Sequence, residues 1–376
     1  MEELLTHNPS DLKTDEMFVN LGPQHPSTHG VLRLGLTVSG EVVTKAVPDV
    51  GYLHRGTEKL AEMRGYHNLI VLSDRWDYVS AMPNNLAVCL AAEKLMGLQI
   101  PERAHYLRMI MCEMNRIASH LLFFGTYGID IGAFTPFLYA FREREMVLDL
   151  FEMLCGARLT YNYIRLGGVM LDVPKDWVSK CREFLDYFKP RLKEYDTLLT
   201  YNPIFVDRTK TVGLIGAEDA IAWGLSGPNL RGSGVDYDAR KFEPYCLYDK
   251  VQFEVPLGKD GSCWDRYFCR VREMGESVKI VEQCLEQMKE GEIAAKGVAK
   301  IPKPLPGEAY AHVEGSRGNL GIYIVSDGNM SPMRMHVRAP SFINLAILQE
   351  FLVGKKISDV IAILGSIDIV LGEVDR

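Results

Sequence analysis

The stretch ERAHYLRMIMCEMNRIASHLLFF, residues 102–124, decides the fold. Its apolar side chains fall at Leu107, Ile110, Met114, Ile117, Leu121 and Phe124. Steps of three and four trace one stripe on a helix, which must be buried against other elements. A second stripe, Tyr267, Val271, Met274, Val278, Val281, Leu285 and Met288, marks another long helix with a coiled-coil-like seam. Between them, Thr135-Pro136 reads as a helix start and Gly156 as its stop. A further helix is expected over 176–199. Several long striped helices predict an antiparallel bundle.

The flanks read differently. Residues 17–50 alternate apolar and polar side chains, and Ser39-Gly40 marks a hairpin turn. Residues 291–307 are rich in Lys, Gly and Pro and read as a linker. Beyond it, AYAHVEG and LGIYIVSDG read as strands, and a last helix is expected near 342–352 before a tail. The fold class is therefore α+β. The expected division is a β-rich segment over 1–84, a helical bundle over 85–290, the linker, and a mixed segment over 308–376.

Composition bounds the function. With 376 residues, 47% of them hydrophobic, the chain can bury a substantial core. A net charge of −7 argues against nucleic acid as a partner. Met1 is followed by acidic and polar residues, so no signal peptide is expected. The most apolar stretch, around 121–137, is broken by Gly125, Gly128, Asp130 and Pro136, so none is expected to span a membrane. The eight cysteines include no CxxC pair, which predicts reduced thiols and no metal site.

Four places can carry chemistry. GPQHPSTHGV, residues 22–31, sets His25 and His29 on a turn that Pro26 and Gly30 keep from being helical. Such imidazoles can move protons or bind a ligand, or simply brace the turn. DRWDYVSAM groups Arg75, Asp77 and Tyr78, either a surface ion pair beside a packed aromatic or a phenol placed to donate. Asp130 sits among small and apolar residues in GTYGIDIGAFTPF; it either shapes a turn beside Gly132 or is a buried carboxylate seeking a partner such as histidine. Glu113, Arg116 and His120 share one helix face, the spacing of an ion-pair network.

Together these stretches resemble one family. NLGPQHPSTHGVLRL, GYLHRGTEKLAE, DRWDY, RIASHLLF, DIGAFTPF, FRERE, YNYIRLGGV and LGSIDIVLGEVDR are similar to the 49-kDa-type (D-type) subunits of respiratory complex I, in unbroken order from about residue 17 to 376. That family is similar in turn to the large subunits of nickel–iron hydrogenases. Where those enzymes carry paired cysteines, this chain has Asp77, Ser80, Val370 and Glu373. A nickel–iron centre needs soft sulfur ligands, so none is expected.

The resemblance implies that the emptied cradle takes a quinone headgroup, next to the terminal [4Fe–4S] cluster of a small iron–sulfur partner (B-type). His29 and Tyr78 would hydrogen-bond the quinone carbonyls and Asp130 would pair with His29, these three forming the catalytic set. Arg75, Arg116 and His120 would lie near the cluster, and His25 would shape the loop. It implies one component of a proton-translocating NADH:quinone oxidoreductase, inactive alone. It would hold no cofactor of its own, since the NADH site and the cluster are on other subunits. The C-type and other peripheral-arm subunits would be partners, with a membrane-arm subunit at the quinone channel. The chain would lie on the cytoplasmic side of the membrane. Ferredoxin- or deazaflavin-driven relatives use similar subunits, and a non-catalytic scaffold is the remaining alternative. One departure stands out. Many members carry a histidine shortly before the RxGG element, where this chain has Thr160 and Tyr161. Weak coupling of the cluster's reduction to protonation there is therefore expected.

Overall fold

A computed structural model describes residues 16–24 and 30–376. His25 and His29 lie outside the described residues. Three antiparallel strands open the fold: β1 (Glu16–Leu21), β2 (Arg33–Ser39) and β3 (Val42–Asp49). β2 and β3 meet through a two-residue turn, with Ser39 opposite Val42. Gly40 takes φ 59° there, a left-handed conformation that side chains resist. Two short helices, Thr57–Glu62 and Tyr66–Ser73, follow within the segment expected to be β-rich.

The bundle comprises α1 (Ala81–Met96), α2 (Glu102–Asp130), α3 (Thr135–Cys155), α4 (Trp177–Tyr195) and α5 (Cys263–Gln287). Both stripes read from the sequence are buried except for Met288, which is half-buried just past the end of α5, and α2 packs along α5 and α3. A capping box starts α5. Ser262 Oγ accepts from the Asp265 N–H at 3.1 Å, and Asp265 accepts from the Ser262 N–H at 3.0 Å. α3 has Pro136 in its first turn and Gly156 at its left-handed end. The helix expected to reach residue 199 gives way at Tyr195 to a wider π turn over Asp196–Thr200.

A second antiparallel sheet holds β4 (Gly307–Glu314), β5 (Asn319–Ser326) and β6 (Arg334–Arg338), and β4 lies on α1. The stretch before β4 is tied down by its backbone. Val169 donates to the Ile293 carbonyl at 3.1 Å and Ala295 donates to the Gly167 carbonyl at 2.7 Å. The expected last helix is two short ones, Pro340–Ala346 and Leu348–Phe351. The tail then turns back into the protein as α6 (Ile357–Ile367) and α7 (Leu371–Asp375).

Two apolar cores join segments distant in sequence. One fills the bundle and extends to β4–β6. The other lies under β1–β3 and is closed by α6 and α7. Strands β1–β3 and the C-terminal helices therefore share one core.

Candidate active site

The tail and the DRWDY segment touch through a glycine. A side chain on Gly372 would lie 2.5 Å from the Trp76 carbonyl, 2.8 Å from that of Arg75 and 3.3 Å from the Tyr78 ring. Only glycine permits that approach. Asp375 then pins a third segment, accepting from the Gly51 N–H at 2.8 Å and the Leu53 N–H at 2.6 Å. The His54 ring donates from Nδ1 to the Asp375 carbonyl at 2.6 Å. The loop of the HRGTEK motif, the DRWDY segment and the C-terminus are thus one assembly.

Arg317 stands at its centre. It lies in the tight turn between β4 and β5, closed by Gly315 N–H to the Gly318 carbonyl at 2.8 Å. Its guanidinium donates to Asp77 Oδ2 at 3.1 Å, Asp368 Oδ1 at 3.2 Å and Ser119 Oγ. Asp368 has left-handed φ 58° at the end of α6 and also faces Arg270, 3.3 Å away. These charges are buried, so each needs its partners.

Asp77, Ser80, Val370 and Glu373, expected from the resemblance to stand where hydrogenases carry cysteines, come together here. Asp77 and Ser80 are each tied to the Ser316–Arg317 pair, with Ser80 Oγ 2.8 Å from Ser316 Oγ. Val370 and Glu373 meet at Ser341: Val370 N–H donates to Ser341 Oγ at 3.4 Å, and Ser341 donates from N–H to Glu373 Oε2 at 3.0 Å and also from its hydroxyl. Among the described residues no three His, Cys, Asp or Glu side chains gather as a metal site. Burial, reinforced by the charge of Asp77, pushes the Glu373 carboxyl up to about 7. Burial also raises Asp77, against the pull of Arg317.

Tyr78 is on the rim, with 37% of its surface exposed. Burial of the rest and the charge of Asp77 raise its phenol. Asp77 itself faces inward, so the surface ion pair, one of the two readings of this stretch, does not form with Arg75; Arg75 donates to the Val71 carbonyl at 2.9 Å. Arg75, Arg55 and Arg64 line a surface cavity of about 360 Å³. Asp130 ends α2, and a side chain on Gly365 of α6 would lie 3.0 Å from its Oδ2. The pairing of Asp130 with His29 falls outside the described residues. Gly30, next in sequence, lies against Leu371 of α7, 3.4 Å from where a side chain would start.

Arg116 and His120 lie inside the protein, with no more than 1% of either exposed. Arg116 donates to Glu113 at 3.2 Å and to the carbonyls of Gly315 at 3.0 Å and Glu314 at 2.6 Å. It therefore holds the turn that carries Arg317. His120 bonds Glu273 at 2.9 Å, yet burial outweighs that carboxylate and lowers the imidazole to about 4, leaving it neutral. The network predicted from spacing is real and larger than one helix face. Glu113 also accepts from Arg240 at 3.0 Å, Tyr248 at 2.7 Å and Ser277 at 2.6 Å. Arg231 joins Glu273 at 2.6 Å to Glu314 at 2.8 Å. The roles of Arg317, Asp368 and Ser341 were not visible in the sequence; the arginine within GSRG was the one signal for them.

The family model described as respiratory-chain NADH dehydrogenase, 49 Kd subunit, matches residues 130–305 and 296–376. The chain belongs to that family. It is 55% identical over 364 residues to the D subunit of NADH-quinone oxidoreductase from Desulforamulus reducens, covering 97% of this chain and 99% of that one. It is 54% identical over 367 residues to the protein of that name from Bacillus cytotoxicus, covering 97% and 100%. As a member of the 49-kDa family it is one component of the respiratory NADH-quinone oxidoreductase, complex I, and other subunits of that complex are its partners. No helix of its described residues is long and apolar enough to cross a membrane.

Proposed function

We propose that this chain forms the quinone headgroup site of a proton-translocating NADH:quinone oxidoreductase, next to the terminal [4Fe–4S] cluster of the small iron–sulfur partner. The observation that carries the reading is the position of Tyr78. Its phenol is part-exposed, beside a buried charged cradle where the C-terminal tail rests on the DRWDY segment through Gly372. The contact of Gly30 with Leu371 brings the flank of the histidine loop to the same helix.

Reducing a quinone to a quinol takes two electrons and two protons. The electrons would come from the cluster of the partner subunit. Tyr78 and His29 donate hydrogen bonds to the two oxygens and stabilise the charge that develops there. They then give up protons to it. Asp130 holds the imidazole of His29 and balances its charge. Arg75, with the arginine-lined cavity around it, faces the iron–sulfur partner. The C-type and other peripheral-arm subunits cover further surface, and a membrane-arm subunit meets the site from the membrane on the cytoplasmic side. A ferredoxin or deazaflavin donor would leave this site unchanged.

Tyr78→Phe and His29→Ala in the assembled complex test the reading. Quinone reduction falls by at least tenfold while electron transfer to an artificial acceptor upstream survives. Unchanged quinone reduction in both variants would move the headgroup elsewhere and favour the scaffold alternative.

A further inference from the structure

The stretch GYLHR, residues 51–55, is exposed along its whole length, so apolar burial does not hold it in place. The tail holds it instead. Asp375, itself buried, takes the Gly51 N–H on one carboxylate oxygen at 2.8 Å and the Leu53 N–H on the other at 2.6 Å. Both oxygens are used as acceptors, and an amide offers only one. The Asp375 carbonyl accepts from His54 Nδ1 at 2.6 Å. The Arg376 carbonyl accepts from the N–H groups of Arg55 at 3.3 Å and Thr57 at 3.2 Å. The tail is anchored in turn: the Arg376 guanidinium donates to the Val337 carbonyl of β6 at 2.8 Å and lies 5.0 Å over the Phe342 ring.

The loop carries Arg55. Its guanidinium donates to the Arg75 carbonyl, and both arginines line the surface cavity together with Arg64. Gly372, three residues before Asp375 in α7, lies against the Tyr78 ring and the Trp76 carbonyl. One short helix therefore meets Tyr78 at one end and fixes the loop of Arg55 at the other.

We propose that Asp375 is a positioning residue for electron delivery: it fixes the 51–55 loop so that Arg55 stands at the face that receives the iron–sulfur partner. The inference rests on the reading that the arginine-lined cavity faces that partner. Arg55 acts there as a fixed positive charge. A cation held near a cluster favours the reduced form, so displacing it lowers the cluster's midpoint potential. Asp375 exerts its effect through Arg55 and not by contact with the reacting groups.

Redox titration and electron paramagnetic resonance of the partner's cluster, in the assembled complex, test this. Wild type is compared with Arg55→Gln, Asp375→Asn and the double variant. Arg55→Gln lowers the midpoint potential. Asp375→Asn turns one acceptor into a donor aimed at an N–H, which frees the loop. It lowers the potential in the same direction and alters the line shape, while KM for quinone is unchanged. The double variant matches Arg55→Gln alone, because both changes act through one charge. His54→Ala removes a single bond and leaves the carboxylate in place, so it gives a smaller drop. Asp375→Glu keeps two acceptors and recovers part of the potential. Drops that add in the double variant would overturn the inference. So would a potential unmoved by Asp375→Asn and His54→Ala while Arg55→Gln lowers it, and the partner face would then stand. A potential unmoved by Arg55→Gln would overturn that face as well.

Discussion

Arg317 bonds Asp77 across 240 positions of sequence, at 3.1 Å. With Asp368 at 3.2 Å on its other nitrogen, it ties the DRWDY segment to the tail. Both carboxylates are buried and rely on it. Arg317→Met removes the tie, leaving Asp77 without its cation and Asp368 with Arg270 alone, a loss of roughly 3–5 kcal/mol. Arg317→Lys keeps the charge but lacks the planar fork to span both carboxylates, so it recovers only part of the loss. Thermal unfolding of the wild type and the two variants side by side checks the order: wild type, then Lys, then Met. Equal midpoints for Lys and wild type would refute the two-handed role.

Gly372→Ala is the smallest possible insult to the same clasp. The new methyl would meet the Trp76 carbonyl at 2.5 Å, so the tail must move. Overpacking of this kind costs about 1–3 kcal/mol. Quinone reduction falls further than upstream electron transfer, because the displaced contact is against Tyr78. Equal loss of both activities would show a general assembly defect instead.

Much of this was legible in advance. The stripes of α2 and α5 gave the bundle, because a periodic apolar face records which side is buried. The tail was not legible. LGSIDIVLGEVDR reads only as a tail, yet the acids Glu373 and Asp375 in it are buried by partners far away in sequence: Ser341 for Glu373, the amides of Gly51 and Leu53 for Asp375. Helix α6 buries Val360, Ile363, Leu364 and Ile367 at helical spacing, but so short an apolar run is ambiguous between helix and strand by pattern alone. Local spacing found Glu113 with Arg116 but could not reach Arg240 or Glu273, whose places depend on the tertiary fold.

Acid should unfold this protein through its interior. Arg240 and Arg116 overcome burial and hold Glu113 down to about 2, below its ordinary 4.5. Its contribution is complete above pH 4.5 and is lost as pH falls toward 2. His120, lowered to about 4 from 6.5, adds an earlier loss: the unfolded chain takes up that proton first, so stability declines from pH 6.5 down to 4. In His120→Gln the melting midpoint is flatter over that earlier window, and the later loss remains. A His120→Gln curve as steep as wild type between pH 6.5 and 4 would refute the assignment.

The partner's cluster should titrate almost independently of pH. At the place where the family resemblance leads one to expect a histidine, Thr160 has left-handed φ 53° and Tyr161 is buried against Phe151, rings 4.7 Å apart. Neither offers a group that ionises near neutrality. A redox titration from pH 6 to 8 gives a shallow slope. A slope near one proton per electron would contradict this.

Cross-linking with a quinone that carries a photoreactive group on its headgroup tests the central claim most directly. In the assembled complex the label falls on residues 22–31, 75–80 or 365–376, and excess quinone suppresses it. Suppressible labelling confined to other segments or other subunits would contradict the account.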